Sequence, residues 1–226
     1  MSVKKFIFPS ILGLFGVSFL FMLGIWQLNR LEWKNNLLAK IEDKMLEPPI
    51  EMPLNPIQMR DQYRSVSLSG MLVPEELHVL TSVKRLGPGF LIVSPFILED
   101  GRKILLDRGF VAEINKNTAR YNGKLKLVGN LFWPNETDGF TPKPNKNKNI
   151  WFARNLELMA SYLGTEKIMV VASKSLLDFG LIKQPLNVHL PNNHLQYAIT
   201  WFSLAVIWFL MSIYFILVVR KKMIIS

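Results

Sequence analysis

The chain has no cysteine among its 226 residues, which excludes disulfides, thiolate metal centres and any carrier chemistry built on a thiol. Histidine is scarce too, with only His78, His189 and His194. There is no Gly-rich phosphate loop, no Gly-x-Ser-x-Gly elbow, no paired-His metal motif and no internal repeat. With these catalytic sets missing, an enzyme is not expected. Charge is absent locally: Phe6 to Leu28 and Leu195 to Val219 carry none.

Each uncharged run can cross roughly 30 Å of hydrocarbon at about 1.5 Å per residue. Lys4 and Lys5 precede the first, and Arg220, Lys221 and Lys222 follow the second. Cationic flanks stay in the cytoplasm. The expected layout is a cytoplasmic N-terminus (1–5), a first span (6–28), an exported domain (29–194), a second span (195–219) and a cytoplasmic C-terminus (220–226). The first run exceeds a typical signal-peptide core and no small-x-small cleavage site follows it, so it is expected to remain as an anchor. No Arg-rich transit segment precedes it, which points to a bacterial inner membrane, with the domain in the periplasm.

The 27 basic and 17 acidic residues give a net charge of +10. Removing the five flanking cations leaves 22 against 17, mildly basic and dispersed. No RNA-binding motif or basic stripe is present, so nucleic acid is not an expected partner; anionic headgroups or an acidic protein are.

In the first span Ser10, Gly13, Gly16, Leu20, Gly24 and Gln27 share one helical face, a set of small residues suited to packing on the second span. Helical spacing continues through Leu31, Leu38 and Ile41 until Pro48 and Pro49. Trp26, Arg30 and Trp33 lie together on this extension, a cation between two indoles at headgroup level. A connector over 45–59 leads to short alternating segments at 63–68, 77–81, 90–97, 103–107 and 125–132, separated by turn signals such as Glu99-Asp100-Gly101. A short helix is expected over 155–163, a further strand over 167–172 and an exposed loop over 134–149. The fold class is therefore a membrane α+β protein. Two transmembrane helices flank an extracytoplasmic domain on an antiparallel sheet, curled or closed into a barrel, with one or two short helices.

Two stretches carry candidate chemistry. In the second helix, steps of three and four put His194, Ala198, Trp201, Ala205, Trp208 and Ser212 on one stripe. An imidazole above small residues and indoles suits a flat, greasy ligand with a nitrogen-seeking atom, and haem is such a ligand. The same residues also describe an ordinary membrane interface, where Trp and Tyr gather and a His faces water. The second stretch is Asp107-Arg108-Gly109-Phe110, either an ion pair where a strand ends in a turn or an arginine fork for a carboxylate or propionate. His78 falls in an expected strand and reads as structural.

Several motifs together resemble the Surfeit-locus family of cytochrome oxidase assembly proteins. They are Gly24-Ile25-Trp26-Gln27-Leu28 with Arg30, Trp33 and Lys34; Tyr63-Arg64 with Val66 and Gly70; Gly89 with Pro95; Ile104 to Val111; Trp151 with Leu156, Met159 and Ala160; and Asn193 to Trp201. They run in order through nearly the whole chain. The resemblance implies a non-enzymatic factor that holds haem a and helps insert it into the catalytic subunit of cytochrome c oxidase, with haem a synthesis enzymes as further candidate partners. It implies His194 as the iron ligand; the helical stripe sets Ala198 and Trp201 beside it, with Tyr197 in the same motif. For the propionates Arg30 and Arg108 come first, before Lys34 and Arg64. The alternative is a membrane scaffold that stabilises the nascent oxidase subunit without binding haem.

Overall fold

The computed structural model describes residues 4–175, 181–182 and 192–225; His189 lies outside them. Contacts divide the chain into two units, Met1–Lys40 with His189–Ser226, and Ile41–Val188.

The first unit is a pair of antiparallel helices, α1 (Lys4–Leu46) and α4 (His194–Ile225). As expected, α1 runs past its apolar segment and stops just short of Pro48 and Pro49, where a missing N–H ends helical pairing. Both helices are long and apolar enough to cross a membrane. Large side chains such as Phe8, Leu14, Phe15, Met211 and Tyr214 stand exposed around them. A helix greasy on all sides and left bare is solvated by lipid, not by a protein core.

The small residues of α1 meet α4. A Cβ on Gly13 would lie 2.9 Å from the Ser212 Cβ, one on Gly16 would strike the Trp208 indole, and one on Gly24 would sit 2.5 Å from the Phe202 ring. Hydrogen at these positions lets the helices close to a distance that no side chain would permit.

The second unit is a β-barrel with appended strands: β1 (Ile50–Glu51), β2 (Ser65–Leu72), β3 (Leu77–Val83), β4 (Gly87–Leu98), β5 (Lys103–Ala112), β6 (Gly123–Phe132) and β7 (Met169–Ser175). Five of them close a ring in the order β2-β6-β7-β5-β4, with β4 returning to β2. β1 and β3 extend it at the free parts of the β2 and β4 edges. The ring is antiparallel except at β5–β7, and β1 also joins β2 in parallel. Alternate residues Val66 and Leu68, Ile104 and Leu106, and Leu125 and Leu127 fill one core with Phe96 and Leu131. The other face of β5 and β7 packs Leu105 and Met169 on Trp151, Met159 and Ala160. Those last two belong to α3 (Leu156–Leu163), whose first turn is capped by the Asn155 side chain accepting from the Leu158 N–H. Burial on both faces matches the consecutive apolar residues Ile104, Leu105 and Leu106 of β5. A short turn, α2 (Gln58–Asp61), completes the connector.

The Asp-Arg-Gly sequence does not end its strand. β5 continues to Ala112, and Ile92 pairs with Gly109 while Val93 pairs with Asp107, so Arg108 is the extra residue of a β-bulge. Gly109 has φ +119, a conformation that lets the strand absorb the extra residue and carry on.

Candidate functional site

α4 begins at His194, and the Asn193 carbonyl accepts its first hydrogen bond, from the Tyr197 N–H. Just before it, the Asn192 side-chain N–H donates to the Asn35 side-chain Oδ1 on α1 at 3.0 Å. The His194 ring meets α1 as well: Nδ1 lies 2.7 Å from Gln27 Oε1. An amide oxygen only accepts, so a neutral imidazole in this orientation carries its proton on Nδ1 and has its lone pair on Nε2. Nε2 has no hydrogen-bond partner among the described residues. His194 is half-buried and Gln27 is only 8% exposed.

The rest of the stripe lies against α1. Ala198 and Ala205 are its buried members, at 1% and 5% exposure. Ala198 is one turn from both His194 and Phe202, which touch Gln27 and Gly24. Trp208 and Ser212 continue the seam at Gly16 and Gly13. Trp201 is half-buried, and Tyr197, 54% exposed, stands off the seam. The periodicity of the stripe therefore belongs to helix packing, and what remains open at the helix start is His194 with its exposed neighbours.

Arg30 is exposed on the α1 extension, three residues from Gln27. Its guanidinium lies 5.7 Å from the Trp26 ring centre and 5.5 Å from that of Trp33, as the spacing predicted.

The other arginines belong to the barrel unit. Arg108 has a side chain only 1% exposed. It donates to the Tyr121 carbonyl at 2.9 Å and approaches Ser94 Oγ at 3.4 Å and Glu76 Oε2 at 3.7 Å. Burial lowers its pKa to about 10, with Glu76 resisting the fall and Arg120 adding to it. Glu76 Oε1 also accepts from Arg120 and lies 2.7 Å from His78 Nε2, so His78 has the structural place expected of it. Behind β5 the companion Asp107 accepts from Arg154 Nη1 at 2.8 Å and from the Gly109 N–H. Burial raises the Asp107 pKa against the pull of Arg154. For Arg154 burial alone would lower the pKa, but Glu136 and Asp107 together raise it. Arg64, half-buried, lies near enough to Asp61 to lower its pKa, although Arg60 is the larger cause.

A family model described as the SURF1 family matches residues 14–206, most of the chain. The chain belongs to the SURF1 family. Surfeit locus protein 1 of Homo sapiens is 33% identical over 217 residues, covering 84% of this chain and 72% of the human protein. The rat protein of the same name is 32% identical, covering 84% and 71%. The SURF1-like protein of Rickettsia bellii is 29% identical over 199 residues, covering 82% and 81%. The SURF1-family match includes Gln27, Arg30, Arg108 and His194, and it ends before Trp208 and Ser212.

Among the described residues no group of three or more His, Asp or Glu side chains could hold a bare metal ion. His194 presents one oriented ring nitrogen. Sequence reasoning placed Gln27 on the packing face and in a family motif but gave it no site role, and it missed Glu76, Arg120 and Arg154 altogether.

Proposed function

We propose that this SURF1-family protein is a membrane-bound assembly factor for a haem-copper oxidase, holding haem a at the membrane edge for insertion into the catalytic subunit. The observation that carries the reading is the His194 imidazole, fixed at Nδ1 and unengaged at Nε2, at the first turn of a membrane helix. Bound haem would supply an iron centre for this nitrogen. Tyr197 and Trp201 offer flanking ring surface, and Arg30 a cation for propionates near the headgroups. Arg108, already enclosed by Ser94, Tyr121 and Glu76, is better suited to holding the barrel together. We assign the termini to the cytoplasm and the barrel unit to the periplasm of a bacterial inner membrane, on the charge of the flanks.

The test is purification in detergent after co-expression with haem a synthesis enzymes, followed by pyridine haemochrome analysis. Wild type should carry haem a, and His194→Ala should lose most of it without unfolding, while His78→Ala and His189→Ala should keep it. Haem at wild-type stoichiometry in His194→Ala, with an unchanged Soret band, would overturn the ligand assignment. The scaffold reading would then lead. It is favoured by one observation already: Ala198, Ala205, Trp208 and Ser212 of the stripe are taken up by the helix pair.

A further inference from the structure

We infer that Gln27 is the positioning residue for His194, and that its neutral amide keeps the grip of that histidine weak enough for cargo to be released. The inference rests on the reading of His194 just given.

A primary amide inside a membrane helix costs free energy unless it is hydrogen-bonded. Gln27 is nonetheless buried on the α1 face that otherwise presents glycine to α4. Its oxygen meets His194 Nδ1 at 2.7 Å, across 167 residues of sequence. Gly24, one turn earlier, is what lets α4 come close enough for this reach. The bond does two things to the imidazole. It selects the tautomer whose Nε2 lone pair is available, and it fixes the plane of the ring.

The identity of the acceptor also matters. A carboxylate in this place would draw the Nδ1 proton toward itself and make Nε2 a stronger donor to a metal. An amide oxygen orients the ring equally well and strengthens the donor far less. A resident cofactor is served by the first arrangement, and a transient passenger by the second.

The experiment uses the full chain in detergent, loaded with haem a, with apomyoglobin as the haem acceptor. Retained haem, Soret position and transfer rate are read for Gln27→Met, Gln27→Asn and Gln27→Glu. Gln27→Met keeps the volume and removes the acceptor; Gln27→Asn keeps an amide and withdraws it by one methylene. Both should weaken retention by about 10- to 100-fold, the usual effect of losing such a partner, and speed transfer. Gln27→Glu should slow transfer below wild type and shift the Soret band. Opposite directions from Met and Glu are not what a purely structural role would give. If Met and Asn both release haem at the wild-type rate, or if Glu behaves as Met does, the inference is wrong. His194→Ala, run alongside, separates the two readings. Loss of haem there with Gln27→Met at wild type sinks only the role of Gln27, whereas retention there sinks the haem-ligand reading itself.

Discussion

Gly24→Ala adds one methyl group to a tight part of the helix seam. The new carbon would stand 2.5 Å from Phe202 Cε1 and 2.6 Å from Cζ, against about 3.5–4.0 Å for a comfortable carbon pair. Something must yield by about 1 Å. The Phe202 ring is braced edge-on against Phe21, with centroids 5.3 Å apart, so part of the movement falls on the helices. Overpacking of this kind costs about 1–3 kcal/mol. It also reaches the next turn, because a bond of 2.7 Å between His194 and Gln27 stretched by about 1 Å is no longer a hydrogen bond. The cysteine-free chain allows a direct assay. Asn35→Cys with Asn192→Cys puts two thiols where the side-chain amides of the helix pair meet at 3.0 Å, and their yield with a short thiol crosslinker reports the seam. Gly24→Ala should lower both that yield and the thermal midpoint in detergent. Phe202→Ala in the same chain should recover much of the loss by removing the obstructing ring, a coupling that a double-mutant cycle measures. Unchanged crosslinking and melting in Gly24→Ala, or no recovery with Phe202→Ala, would refute the packing argument.

Arg154 offers a test of the barrel. Arg154→Met strands the buried Asp107 and should cost about 3–5 kcal/mol of stability; Asp107→Asn in the same chain should restore a good part, as read by thermal denaturation. For topology, a reporter active only outside the cytoplasm should work when fused near Asn147 and fail when fused beyond Lys222, and the reverse pattern would overturn the charge assignment.

Much of this architecture is written locally. The length of α1 follows from Leu31, Leu38 and Ile41 running into Pro48 and Pro49, and the strands follow from alternation between turn signals. Two parts are not local. Asp107-Arg108-Gly109 has the composition of a turn, and only the pairing of β5 with neighbours on both edges turns it into a bulge inside a strand. The stripe from His194 to Ser212 has one spacing for two uses, since a helix partner and a flat ligand both ask for small residues every three or four positions. The sequence held the deciding fact on another helix, at Gly13, Gly16 and Gly24, without stating which stripe they would meet. The bond between Gln27 and His194 leaves no local trace at all.

The order in which the barrel strands are linked has a kinetic consequence. β3, β4 and β5 form consecutive hairpins and can pair as soon as they are made. β2 can do so only in part, with β1 and at its last residues with β4: its full edge is taken by β6, which starts at Gly123, some fifty residues after β2 ends at Leu72. The ring then waits for β7, which inserts between β5 and β6 only once Met169 has arrived. Loop closure has to be met before such distant pairings give anything back, which makes the final step the slow one. Until then both β5 and β6 present open edges, the form in which partly made barrels find each other and aggregate. A chain that stalls short of Met169 is thus held in its most vulnerable state.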